Sequence, residues 1–256
     1  ALLRGYVGEI MQILRSGSKL NAPQAIQILE CICNSCHSVD LCTEMQREEN
    51  VTYLWAVVEA TEKDHLKLGV AARLTTLQIL AHTLLPTTDN LDRLLRLLTR
   101  CSPEWSRASV IDPCTLVMRA NVSMMVRNLV CSVPKWTEVF SVSVNQRSSE
   151  LNFEELHPMF PLLVVLGDLL VQGCGQSTDQ SSKTLGCLLT TLMQEGAPFQ
   201  AFCASILLSD DDKTSLPFSI LRARLLKVIW EVSRCNSGIV APFVQDIALL
   251  AARPTR

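Results

Sequence analysis

Asn21-Ala22-Pro23-Gln24-Ala25-Ile26-Gln27-Ile28-Leu29-Glu30-Cys31-Ile32-Cys33-Asn34-Ser35-Cys36-His37 is the stretch on which the fold turns. It opens with an asparagine and an early proline, a combination suited to a helix start. Ala25, Ile28, Leu29, Ile32 and Cys36 then recur every three or four residues, the spacing that lines one face of a helix. The segment before it, Leu2 to Leu14, places Leu3, Val7, Ile10 and Leu14 on one face and stops at Ser16-Gly17-Ser18. Two helices joined by a short turn are predicted.

The same spacing continues outward from this pair. Short helices are expected at Val39 to Met45 and Val51 to Glu59, and a long one at Asp64 to Leu84 that ends before Pro86. Thr87-Thr88-Asp89, Ser102-Pro103-Glu104 and Asp112-Pro113 read as helix starts. Residues 133–150 are less regular: Ser141 to Val144 alternates serine and valine, but no second strand is in sight to pair with it, so a helix end or loop is expected. Helices follow at Pro158 to Val171, Thr184 to Met193, Pro198 to Leu208, Pro217 to Ser233 and Ile239 to Ala252, with a mobile loop over 172–183. The chain is thus read as all-α, one helical-repeat domain over 1–256. A division into two lobes, 1–132 and 151–256 joined by 133–150, is the alternative organisation.

Composition supports a packed chain, since 48% of residues are hydrophobic and only 19% charged. The net charge of −2, with no long run of either sign, speaks against a broad surface for nucleic acid. No segment has the uninterrupted apolar length of a membrane span; Met159 to Val171 is short and carries Asp168. The 11 cysteines are scattered, and Cys114, Cys131, Cys187 and Cys203 stand where small hydrophobes would pack. That usage suits a reducing compartment, cytoplasmic or nuclear. The opening at Ala1, directly into an amphipathic stretch, reads as part of a larger protein.

Leucine-rich pairs such as Ala25 to Cys36 and Leu66 to Leu84 resemble the armadillo and HEAT class of alpha-solenoids. The resemblance implies stacked antiparallel helix pairs, because a single pair of this kind cannot bury its own apolar face. No fixed period of forty-odd residues runs through the chain, and an irregular globular bundle remains the alternative.

Few constellations carry chemistry. Cys33-Asn34-Ser35-Cys36-His37 matches the haem-attachment pattern, but its residues already belong to a helix with a core face, and no haem is expected. Cys33, Cys36, His37 and Cys42 are the zinc candidates; with no second cysteine pair elsewhere, packing is preferred to metal binding. His37, His65, His82 and His157 are scattered, and no nucleophile-and-base motif is present. No catalytic residues and no cofactor are expected. Arg93, Arg96 and Arg100 form a basic ridge opposite Leu94, Leu95 and Leu98, with Arg222, Arg224 and Lys227 a weaker second. Trp55 and Trp230 are expected in the core, and Trp105 and Trp136 as partly exposed anchors. Arg93, Arg96, Arg100, Trp105 and Trp136 are therefore the partner-binding candidates. The expected role is a non-catalytic scaffold holding a peptide, helix or helical subunit in an intracellular assembly, of the kind used in genome maintenance or mitosis. A nucleic-acid module using the arginine ridges is the alternative.

Overall fold

The computed structural model describes residues 2–16, 20–36, 38–60, 69–106, 113–131, 133–149, 160–173, 180–208, 222–223, 225–230, 233, 238, 241 and 243–252. Among them are thirteen helices and no strand. They are α1 (Leu2–Ser16), α2 (Ala22–Asn34), α3 (Val39–Met45), α4 (Glu48–Glu59), α5 (Gly69–Thr83), α6 (Thr88–Ser106) and α7 (Pro113–Leu129). α8 (Pro134–Ser149), α9 (Phe160–Gly173), α10 (Gln180–Leu192) and α11 (Pro198–Leu208) follow, then α12 (residues 225–230) and α13 (Val244–Ala251). The chain forms two compact units, one of residues 1–93 and 111–129, the other of 94–110 and 130–256. Among the described residues no helix is long and apolar enough to cross a membrane.

In the first unit α5 is central, packing against α2, α4 and α7. Its buried residues, Ala72, Thr76, Leu77, Ile79, Leu80, Ala81 and Thr83, point to more than one side. The exposed face left to α5 is a narrow stripe of Ala71, Gln78 and His82. Asn121 Nδ2 donates to Leu74 O at 3.3 Å and Asn128 Nδ2 donates to Ala81 O at 2.7 Å, each pair 47 residues apart. The equal offset at both contacts means that α5 and α7 run parallel in one register. Replacing Asn121 and Asn128 together by alanine is expected to lower stability by about 2 kcal/mol, roughly 1 kcal/mol per bond, in urea titrations.

In the second unit α8 packs against α10 and α11, and α11 against α13. Residues 133–150, expected as an irregular connection, hold α8 over nearly their whole length. Its serines explain the difference: Ser141, Ser143 and Ser148 turn their hydroxyls back to Thr137 O, Val139 O and Val144 O at 2.7, 3.1 and 2.8 Å. Satisfied in this way, Ser141 and Ser148 are buried beside Phe140 and Val144 without a stranded donor. From the same helix, Asn145 Oδ1 accepts from Phe199 N at 3.1 Å in the first turn of α11.

Other expectations meet mixed outcomes. Thr87 Oγ1 accepts from Asn90 N at 3.2 Å, the expected cap of α6, and α7 begins at Pro113. Ser102-Pro103 lies inside α6, not at a helix start. Part of the loop expected over 172–183 is helix: α9 runs to Gly173 and α10 begins at Gln180; residues 174–179 lie outside the described residues. Trp55 is fully buried, but Trp230 is 65% exposed, one residue off the buried stripe Leu225, Val228 and Ile229. Cys131 and Cys203 are buried; Cys114 and Cys187 are exposed, the first at the start of α7 and the second beside the stripe Leu185, Leu188, Leu189 and Leu192. Asn50 of Asn50-Val51-Thr52 and Asn121 of Asn121-Val122-Ser123, both tripeptides of the form of a glycosylation sequon, are buried within helices.

Candidate functional site

α1 carries more apolar surface than one neighbour can cover. Val7, Met11 and Leu14 form its buried stripe, facing α3. Tyr6, Ile10 and Ile13 form a second stripe beside it, with Tyr6 68% and Ile13 46% exposed. α1 is pinned at its C-terminal end by Arg15, whose Nη1 donates to Asn50 Oδ1 at 2.8 Å and lies 3.3 Å from Glu49 Oε1. Asn50 Nδ2 in turn donates to Glu44 O at 2.8 Å, and buried Glu44 pairs with Arg47 Nη1 at 3.0 Å. Gly8 permits this approach, because a Cβ there would sit 3.2 Å from Glu44 Oε1.

α2 begins in a reciprocal cap: Gln24 N donates to Asn21 Oδ1 at 3.0 Å and Asn21 N to Gln24 Oε1 at 3.1 Å. Its buried face, Ala25, Leu29, Ile32 and Cys33, is turned toward α5. With α1 seated on α3 and α2 on α5, the flanks of α1 and α2 enclose an open groove of about 660 Å³. Tyr6, Ile10, Leu20, Ile28, Cys31 and Leu41 supply its apolar lining. Gln24, Gln27 and Ser35 add polar groups, the Ser35 hydroxyl already donating to Cys31 O at 2.9 Å. Among the described residues no charged side chain lines it. The size is that of a binding cleft.

Sequence spacing assigned Ile10 and Ile28 to the core and passed over Tyr6 and Ile13. One signal was present: Tyr6, Ile10 and Ile13 repeat the spacing of the core stripe one position earlier, making the apolar arc of α1 unusually wide.

The candidates named from sequence are dispersed. Cys33 and Cys36 are buried and Cys42 is half-buried; His37 lies outside the described residues. Cys36 Sγ donates to Ile32 O at 3.2 Å, and Cys42 Sγ to Cys36 O at 2.9 Å. Burial, reinforced by Cys33 and Cys42 nearby, pushes the Cys36 thiol up to about 12, and burial with Glu30 nearby raises Cys33. Among the described residues no three histidines, cysteines or acids are arranged to hold a metal ion. Arg93, Arg96 and Arg100 lie on α6, the last two exposed. Arg93 is engaged, its Nε donating to Asp89 Oδ2 at 2.9 Å and its Nη1 lying 3.8 Å from Glu59 Oε2. Trp136 is half-buried with Lys135 Nζ 5.4 Å above its ring, and Trp105 lies on α6 with its side chain outside the description.

No protein family, curated protein or solved structure matches the chain.

Proposed function

We propose that the chain is a non-catalytic scaffold whose α1–α2 groove holds a segment of a protein partner within a larger intracellular assembly. The observation that carries this reading is the exposed pair Tyr6 and Ile13 on α1, with Tyr6 and half-buried Ile10 lining an apolar groove that no charged side chain among the described residues enters. Exposed aromatic and aliphatic side chains at a concave surface are what a partner's anchors require. The finer architecture, stacked helix pairs in the armadillo or HEAT manner, draws support from the parallel register of α5 and α7 within the first unit. Cys31, Cys33, Cys36, Cys42, Cys187 and Cys203 are free thiols, which suits a reducing compartment. The nucleic-acid alternative has less support, because Arg93 already spends its charge on Asp89 and Glu59.

The test is affinity capture of the full-length protein beside a Tyr6→Ala, Ile13→Ser variant, both substitutions falling on exposed positions. Partners of the unaltered protein are expected to fall about tenfold in recovery, matching the loss of an anchor side chain. Full retention by a normally folded variant would refute the groove as the binding surface.

A further inference from the structure

The charges around the groove indicate what kind of segment it takes. At 100° per residue, Glu9 lies roughly 60° from Tyr6 on the side away from Val7, along the outer lip of α1. On α2, Glu30 lies roughly 60° beyond the groove-lining Gln27 on the side away from Ile32, outside the lining itself and between Gln27 and Cys33. Both glutamates are exposed, and neither is held in an ion pair among the described residues. Glu30 is the one charged residue of α2. Among the described residues no arginine or lysine lines the groove. An apolar floor with an exposed glutamate beside it on each helix is complementary to a helix with an aliphatic face flanked by basic residues.

We infer that the occupant of the α1–α2 groove is a basic amphipathic helix of a partner protein, its aliphatic face on Tyr6, Ile10 and Ile28 and its lysines or arginines meeting Glu9 and Glu30. This rests on the groove being the interaction surface proposed above and adds the chemistry of the segment. Aliphatic anchors at i, i+3, i+4 and i+7 would give the bound segment its hold. The flanking charges would set its preference and much of its association rate, and both effects would weaken as salt screens the exposed glutamates.

Three synthetic helical peptides sharing one leucine face, with flanking positions filled by lysine, glutamate or serine, test the inference by fluorescence anisotropy on the full chain. The lysine peptide is expected to bind about tenfold more tightly than the glutamate peptide at low salt, with the gap narrowing at high salt. Glu9→Lys with Glu30→Lys, both at exposed positions, should invert that order, and Tyr6→Ala should weaken whichever peptide binds. Equal binding of the three, an order unmoved by the charge reversal, or no binding at all overturns the basic-helix assignment. Should any of these occur while partner capture still depends on Tyr6 and Ile13, the scaffold reading stands and this one falls. Should capture prove indifferent to those residues, the scaffold reading falls first.

Discussion

Trp55→Ala is expected to lower unfolding free energy by about 3–5 kcal/mol, the range for removing a large aromatic from a packed interior. Trp55 is fully buried in α4, a helix that also buries Tyr53, Leu54, Val57 and Val58. Its indole also donates, with Nε1 at 3.1 Å from Asn90 Oδ1. Asn90, in the first turn of α6, ties that turn to the α5–α6 connection: its Nδ2 donates to Leu85 O at 2.9 Å, and its backbone N to Thr87 Oγ1 at 3.2 Å. The alanine variant therefore loses an apolar volume and leaves a buried acceptor without its donor. Trp55→Phe separates the two contributions, since it keeps most of the volume and removes the donor; a loss of about 1–3 kcal/mol is expected there. Hydrogen exchange of α4 and α5 amides, compared with a urea titration, reads both. A loss below about 1 kcal/mol for the alanine variant would contradict the packing described for the first unit.

A second large effect is expected in thiol chemistry. Cys31, Cys114 and Cys187 are exposed, whereas Cys33, Cys36, Cys101, Cys131 and Cys203 are buried. Cys36 stands at about 12 where an ordinary thiol stands at 9.0, so its thiolate fraction at neutral pH is about a thousandfold lower. Full burial raises Cys203 as well. Time-resolved alkylation followed by mass spectrometry should show Cys31, Cys114 and Cys187 modified quickly in the native protein and Cys36 and Cys203 only after unfolding. Labelling of Cys36 at the rate of Cys31 would overturn the burial assigned to it. The same shift makes stability depend on pH. The folded form keeps the Cys36 proton to higher pH than the unfolded chain, so this contribution is complete below about pH 9.0. It is then lost as pH rises from there toward about 12.

Spacing alone identified the helices well where a cap or a proline stood at the boundary. Asn21 and Pro23 at α2, Thr87 at α6 and Pro113 at α7 act through groups within a few residues of themselves. Spacing failed where the deciding partner was distant or the environment unusual. The serine-rich α8 looked too polar to be buried because the back-bonds of its hydroxyls form only once the helix exists. Trp230 looked like core because a window cannot say which side of a short helix its neighbours occupy. The 47-residue register of α5 and α7 has no repeat signature; two asparagine amides and the carbonyls they reach record it, and carbonyls are the same in every sequence. The groove was half legible, as an apolar arc on α1 too wide for one neighbour.

The order of residues by itself determined that this chain is helical and where most of its helices begin, because periodicity and capping are local and act within one or two turns. Only the tertiary structure decided which apolar stripe of α1 is buried and which is left open. That choice depends on α1 resting on α3 while α2 rests on α5, contacts between residues far apart along the chain whose energies no short window contains.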